Sequence, residues 1–286
     1  MTPRGSHRPG HAAGPEATIA EHRAGAITLA VSDAGGRGRP VVFQHGLCGD
    51  AAQAAEVFPD DPRLRRITLE CRGHGASPAG EPSELSIATF AGDLASLLDA
   101  HGLAPAAVGG ISMGAAIALR LAVRRPDLVP ALVLARPAWI TGPAPANMEP
   151  NALVGRLLAE HPPERARAAF ERSGTAFALA REAPDNLASL RGFFGRLPRE
   201  TTVALLTTIS ADGPGVDEAE VGRLAVPTLV IGHRRDHVHP LAHAAALARL
   251  IPGARLVEIT PKAEDRGRYV ADFRSALHAF LAEFVS

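Results

Sequence analysis

Lysine is almost missing from this chain: of the 30 Lys and Arg side chains in 286 residues, only Lys262 is a lysine. Aromatics are scarce at 4%, and the cysteines are two, Cys48 and Cys71. Two cysteines are too few for a disulfide framework and point to a reducing, cytoplasmic setting. No apolar run reaches about 18 residues, so no membrane-spanning helix is expected. Net charge is missing as well, since 30 basic groups balance 30 acidic ones. That leaves no electrostatic case for nucleic acid or an anionic membrane as the main partner. What is abundant is apolar material, 46% of the chain. This is enough for a sizeable core and too much for a disordered polypeptide. A small molecule is the expected partner, no cofactor is called for, and a homo-oligomer is compatible with the composition.

Residues 1–16 are rich in Pro, Gly, His and Arg without apolar periodicity, and they lack the apolar stretch of a secretory signal. They read as a disordered tail. Beyond them, short apolar runs (PVVFQHG, LRRITLECR, AAVGGIS, ALVLARP) alternate with helical patterns. In IATFAGDLASLLDAHG, for example, Phe90, Leu94, Leu97 and Leu98 share one face. The alternation resumes with PTLVIG, LAHAAALARLIPG, ARLVEIT and a long C-terminal helix. Such a pattern predicts an α/β fold with a mostly parallel twisted sheet and helices on both faces. Ligands bind such sheets at the carboxyl ends of their strands.

Between the two blocks, residues 138–222 read as successive short helices, an inserted lid after the sixth strand. The expected core is therefore 17–137 together with 223–286. Trp139, Phe193 and Phe194 fit the lid's own core more readily than a substrate wall.

Gly110-Ile111-Ser112-Met113-Gly114 follows a buried strand and opens a helix. This is G-x-S-x-G in the strand–turn–helix context that exposes a serine hydroxyl on a tight turn. With PVVFQHG at 40–46, ECRGHGAS at 70–77 and VPTLVIGHRRDHVHP at 226–240, the chain resembles the α/β-hydrolase fold superfamily, in order, over about 25–286. The resemblance implies that Ser112 is the nucleophile and that the backbone N–H groups of Leu47 and Met113 form an oxyanion hole. It also implies that Asp236 is the acid. His45, His74 and Trp139 are kept as candidate substrate contacts.

One part of the pattern is missing. The triad order of this fold is Ser, Asp/Glu, His, yet the loop after ARLVEIT reads Pro261-Lys262-Ala263-Glu264-Asp265-Arg266-Gly267 and holds no histidine. Serine at its free pKa needs a base. Lys262, the carboxylates Glu264 and Asp265, His237 or His233 beside Asp236, and His45 or His74 all remain open as substitutes. His278, beyond them, lies off the apolar stripe of the last helix. His45-x-x-Cys48 and Cys71-x-x-His74 form a zinc-like ligand set, but loop shaping and packing account for them, and no metal is expected.

The expected activity is hydrolysis of an ester, thioester or lactone of a small organic acid. The alternatives are lyase, isomerase or decarboxylase chemistry on the same fold, or a ligand-binding protein that has lost its base.

Overall fold

Among the described residues, 18–284, the apolar runs of the sequence line up in one eight-stranded sheet in this computed structural model. The tail expected at 1–16 lies outside the described residues. The strands are β1 (Thr18–Ala24), β2 (Ile27–Asp33), β3 (Arg39–Gln44), β4 (Leu64–Leu69), β5 (Ala107–Ile111), β6 (Leu132–Ala135), β7 (Thr228–Gly232) and β8 (Arg255–Glu258). Their order is β1-β2-β4-β3-β5-β6-β7-β8. β1 pairs antiparallel with β2, and β2 with β4; every other pairing is parallel. In sequence, GAITLAVSDAG at 25–35 reads as the first strand. The extra strand β1 arises because Gly25, at φ 63°, lets the chain double back as a hairpin.

The helices are α1 (Ala51–Val57), α2 (Ile87–Ala100), α3 (Met113–Arg124), α4 (Glu149–Glu160), α5 (Pro163–Glu171), α6 (Gly174–Glu182), α7 (Pro184–Phe193), α8 (Arg199–Ala211), α9 (Glu218–Val221), α10 (Leu241–Leu250) and α11 (Arg266–Leu281). Strands β5, β6 and β7 are buried along their whole length because helices cover both faces. One face packs on α2, α3 and α10, the other on α1 and α11. On α11 the stripe Phe273, Leu277, Phe280 and Leu281 is buried while His278 is exposed and meets Asp61 at 3.0 Å.

Helices α4 to α8 form a continuous helical segment between β6 and β7, with α4 packed against α8. The apolar pattern of 163–180 is divided between two helices, α5 and α6. Ser173 ends the first and caps α6 by accepting the Ala176 N–H at 3.1 Å. A side-chain oxygen that satisfies an orphan helix donor starts a new helix there.

Candidate active site

The carboxyl ends of β3, β5, β6 and β7 converge on one cavity of about 550 Å³, roofed by residues of α4 and α7. Ser112 stands at its floor between β5 and α3. Its backbone has φ 57° and ψ −111°, a left-handed conformation that costs on the order of 1–3 kcal/mol for a residue with a side chain. The glycines around it make the turn feasible. A Cβ on Gly110 would lie 2.6 Å from the Gly114 carbonyl carbon, and one on Gly114 would lie 2.6 Å from the Gln44 oxygen. The Ser112 N–H is fixed to the Ala135 carbonyl at 3.0 Å. Its hydroxyl makes no hydrogen bond among the described residues, so no base touches it in this conformation.

The loop after β3 approaches the same point. The Gly46 N–H is held by Gln53 Oε1 at 2.6 Å, and Gly49 N–H by the Gly46 carbonyl at 3.0 Å. Between them Cys48 adopts φ 58°. Among the described residues, neither the Leu47 N–H nor the Met113 N–H donates to any acceptor. Met113 opens α3, whose first N–H groups have no partner inside the helix. Backbone strain gathers here. Cys48, Ser112 and Arg136 line the cavity with positive φ, and Arg235, at φ 59°, immediately precedes Asp236.

Asp236, past the end of β7, is buried and heavily contacted. Arg136, at the end of β6, gives Nε and Nη2 to Asp236 Oδ2 at 2.8 and 2.6 Å. The other oxygen accepts the His239 backbone N–H at 3.0 Å, and His239 Nδ1 lies 3.0 Å from it. His233 Nε2 stands 3.4 Å from Oδ2. Burial would raise the Asp236 carboxyl, but the Arg136 charge, with His239 and His233, outweighs it and holds the group well below the usual carboxylate range. Arg136 also gives Nη1 to the Tyr269 hydroxyl at 3.3 Å and faces Asp185 at 3.6 Å. His239 lines the cavity with Ser112, and its Nε2 has no partner among the described residues.

Of the residues proposed for the missing histidine, the structure brings only Lys262 to this cavity. Its ammonium lies 5.8 Å from the Tyr269 ring centroid, and burial together with the Arg136 charge lowers its pKa. Glu264 is exposed and pairs with Arg235 at 3.6 Å; Asp265 caps α11 through the Arg268 N–H at 2.9 Å. His237 is exposed on a different groove, beside Glu182 and Pro240. A charged turn at a helix start finds its partners in the helix end and in solvent, and these side chains follow that course.

His45, His74 and Trp139 also depart from the role of substrate contacts, for none lines the cavity. His45 accepts the Cys71 N–H on Nε2 at 3.1 Å and holds the Gly46 carbonyl at 2.9 Å through Nδ1. His74 binds the Arg72 carbonyl at 2.9 Å and meets Phe90 edge-to-face. Burial lowers the pKa of both. Trp139 is buried and donates to the Asp212 carbonyl at 2.8 Å. The Cys48 thiol, pushed up to about 12 by burial, and the buried Cys71 thiol are poor metal ligands. Asp185, His233 and Asp236 do gather ligand atoms within 4.8 Å. The Arg136 guanidinium sits among them and already supplies the positive charge.

Arg136 and His239 are absent from the site residues expected above. A cation ending the buried strand ALVLARP, and a histidine three residues after the acid, were the signals that could have found them.

A family model described as alpha/beta hydrolase fold matches residues 39–264. The chain belongs to the α/β-hydrolase fold family. Membership places it in a family of hydrolase-class enzymes. Among curated α/β-hydrolase relatives, a Pseudomonas savastanoi pv. phaseolicola protein carrying the name carbamate hydrolase RutD is 33% identical over 223 residues, 76% of this chain and 83% of that protein. A pimeloyl-[acyl-carrier protein] methyl ester esterase of Chromobacterium violaceum is 31% identical, covering 78% of this chain and 86% of that one. The enol-lactonase of Burkholderia xenovorans LB400 superposes with a TM-score of 0.69 at 27% identity, over 92% of this α/β hydrolase and 100% of that chain. Among the described residues no helix is long and apolar enough to cross a membrane.

Proposed function

We propose that the protein hydrolyses an ester, thioester or lactone of a small organic acid, with Ser112 as nucleophile. The observation that carries this reading is the strained Ser112 turn opening into a cavity that also receives a histidine held by a buried carboxylate. In the proposed mechanism Asp236 binds Nδ1–H of His239, which leaves Nε2 as the acceptor. The mechanism calls for Oγ to come within hydrogen-bond reach of Nε2, a contact that in such sites often tightens only once substrate binds. His239 takes the hydroxyl proton as Oγ attacks the carbonyl carbon, and the oxyanion is received by the Leu47 and Met113 N–H groups. Each such donor is worth about 3–4 kcal/mol in acyl transfer. The proton passes to the leaving oxygen or sulfur, and a water, activated by the same histidine, releases the acid. Helices α4 to α8 serve as a lid that keeps bulk water from the acyl-enzyme. The names of the relatives (a carbamate hydrolase, a methyl ester esterase and an enol-lactonase) are compatible with acyl cleavage of this class.

A second reading makes Lys262 the base, supported by its place in the cavity and its lowered pKa. It has no ion-pair partner to orient it among the described residues, which favours His239. Labelling with a fluorophosphonate probe tests both readings. Wild type is expected to be labelled on Ser112, Ser112→Ala not at all, and His239→Gln far more slowly. Loss of labelling in Lys262→Met but not in His239→Gln would assign the base to Lys262. A folded wild-type protein that stays unlabelled would end the serine-hydrolase reading and leave non-hydrolytic chemistry or binding.

A further inference from the structure

Two cations face the cavity with no carboxylate within ion-pair distance among the described residues. Arg196, in the turn between α7 and α8, gives Nη1 to Thr202 Oγ1 at 3.0 Å and Nη2 to the Gly73 carbonyl at 2.5 Å. Both acceptors are neutral, and a guanidinium carries five N–H donors, so most of its hydrogen-bonding capacity is unused. Lys262 makes no hydrogen bond or ion pair among the described residues and rests against the Tyr269 ring. Both side chains are half-buried. Neighbouring cations elsewhere are neutralised: Arg136 by Asp236, Arg72 by Asp93 and Arg234 by Glu258.

The two stand at different parts of the site. Arg196 is close enough to the loop bearing Leu47 for its charge to bear on His45 and Cys48, whereas Lys262 feels the charge of Arg136. Taking a cation partly out of water without a partner is unfavourable, and an anionic ligand reverses that cost. Asp50 and Asp185 line the same cavity, which disfavours a dianion and suits a single negative charge.

We propose that the cavity takes acyl substrates bearing a second, free carboxylate, half-esters or lactone acids derived from dicarboxylic acids, with Arg196 as the carboxylate anchor. Lys262 adds a second positive charge to the same field. This assignment rests on the hydrolytic reading of Ser112 for its chemistry but not for its binding. A carboxylate matches the planar donor fork of arginine, and burial of the pair away from water strengthens the contact.

The test uses equilibrium binding to Ser112→Ala, where turnover is absent. Monomethyl glutarate and methyl pentanoate differ by a carboxylate in place of a methyl group. Calorimetry is expected to give the half-ester a preference of about tenfold or more. Arg196→Gln is expected to erase the preference and Arg196→Lys to keep part of it. Methyl pentanoate is expected to bind Arg196→Gln as it binds the parent protein, which separates loss of the anchor from a loss of fold or of lid closure. Equal binding of the two compounds, or a preference that survives Arg196→Gln, overturns the proposal. Displacement of the half-ester by inorganic phosphate at equal concentration overturns the carboxylate assignment. A fluorophosphonate-reactive protein with equal binding loses only this inference, and an unreactive one that keeps the preference loses only the hydrolytic reading.

Discussion

Asp236 and His239 are joined within a single turn: one carboxylate oxygen lies 3.0 Å from the ring Nδ1 and 3.0 Å from the backbone N–H of the same histidine. The fold's usual acid–histidine pair spans two loops. In the proposed mechanism both partners come from the loop after β7, and the loop after β8 contributes Lys262 to the cavity instead.

Replacing His239 by Gln is expected to lower kcat for a neutral ester by about 10²–10⁴, the range of general-base catalysis, with the melting temperature nearly unchanged. His237→Ala, altering an exposed side chain on another groove, is expected to change kcat by less than about twofold. Steady-state kinetics with a chromogenic ester decides. Activity that survives in His239→Gln removes the pair from the mechanism.

Arg136 is the chief positive partner of the buried Asp236 carboxylate. Arg136→Met leaves that charge uncompensated and is expected to cost about 3–5 kcal/mol of stability. The double variant Arg136→Met/Asp236→Leu is expected to recover most of the loss, since it removes the orphaned charge. Urea unfolding of the three proteins gives the comparison, and equal stability of wild type and Arg136→Met would refute the pairing.

The same carboxyl sets an acid limb. Its folded pKa lies below the unfolded value near about 3.9. Its contribution is therefore complete above the unfolded pKa and is lost as pH falls toward the folded one. Between pH 5 and pH 3 that single group is expected to contribute about 1 kcal/mol of destabilisation. Asp236→Asn should flatten the slope of unfolding free energy against pH by that amount; an unaltered slope would show that other groups account for the acid limb.

Gly114→Ala is expected to disrupt the elbow, because the new Cβ would meet the Gln44 carbonyl at 2.6 Å. Backbone cannot yield as a flexible side chain can, so a loss of about 1–3 kcal/mol is expected. Fluorophosphonate reactivity at Ser112 should fall with it. Thermal melts and labelling rates read the two effects, and an alanine variant as stable and reactive as wild type would contradict the close approach.

The two thiols are expected to be inert in the folded protein. With Cys48 pushed up to about 12 by burial, only about 10⁻⁴ of it is thiolate at pH 8. Iodoacetamide should modify neither cysteine until urea is added, as followed by mass spectrometry. Rapid alkylation of native Cys48 would overturn this and make it a rival to Ser112.

Much of the protein is legible in its sequence because the signals are local. Apolar runs of strand length alternating with amphipathic helices specify a covered parallel sheet. Gly110 and Gly114 mark the turn because only residues without a Cβ fit between β3 and α3. Ser112 and Asp236 lie where strands end, and strand ends are readable from hydrophobicity alone. The missing histidine is equally plain as an absence. Which charged groups surround the serine was not legible, because closeness across the sheet is a tertiary property. Arg136 and Asp236 are 100 residues apart and meet only because β6 and β7 are neighbours in register. Lys262 reaches the cavity while Glu264 and Asp265, two and three residues later, turn to solvent and to the start of α11. Thus the sequence determined the sheet, the serine turn and the loss of the usual base. Only the packing of the strand ends decided which charged side chains share the cavity, since that depends on distances between residues remote along the chain.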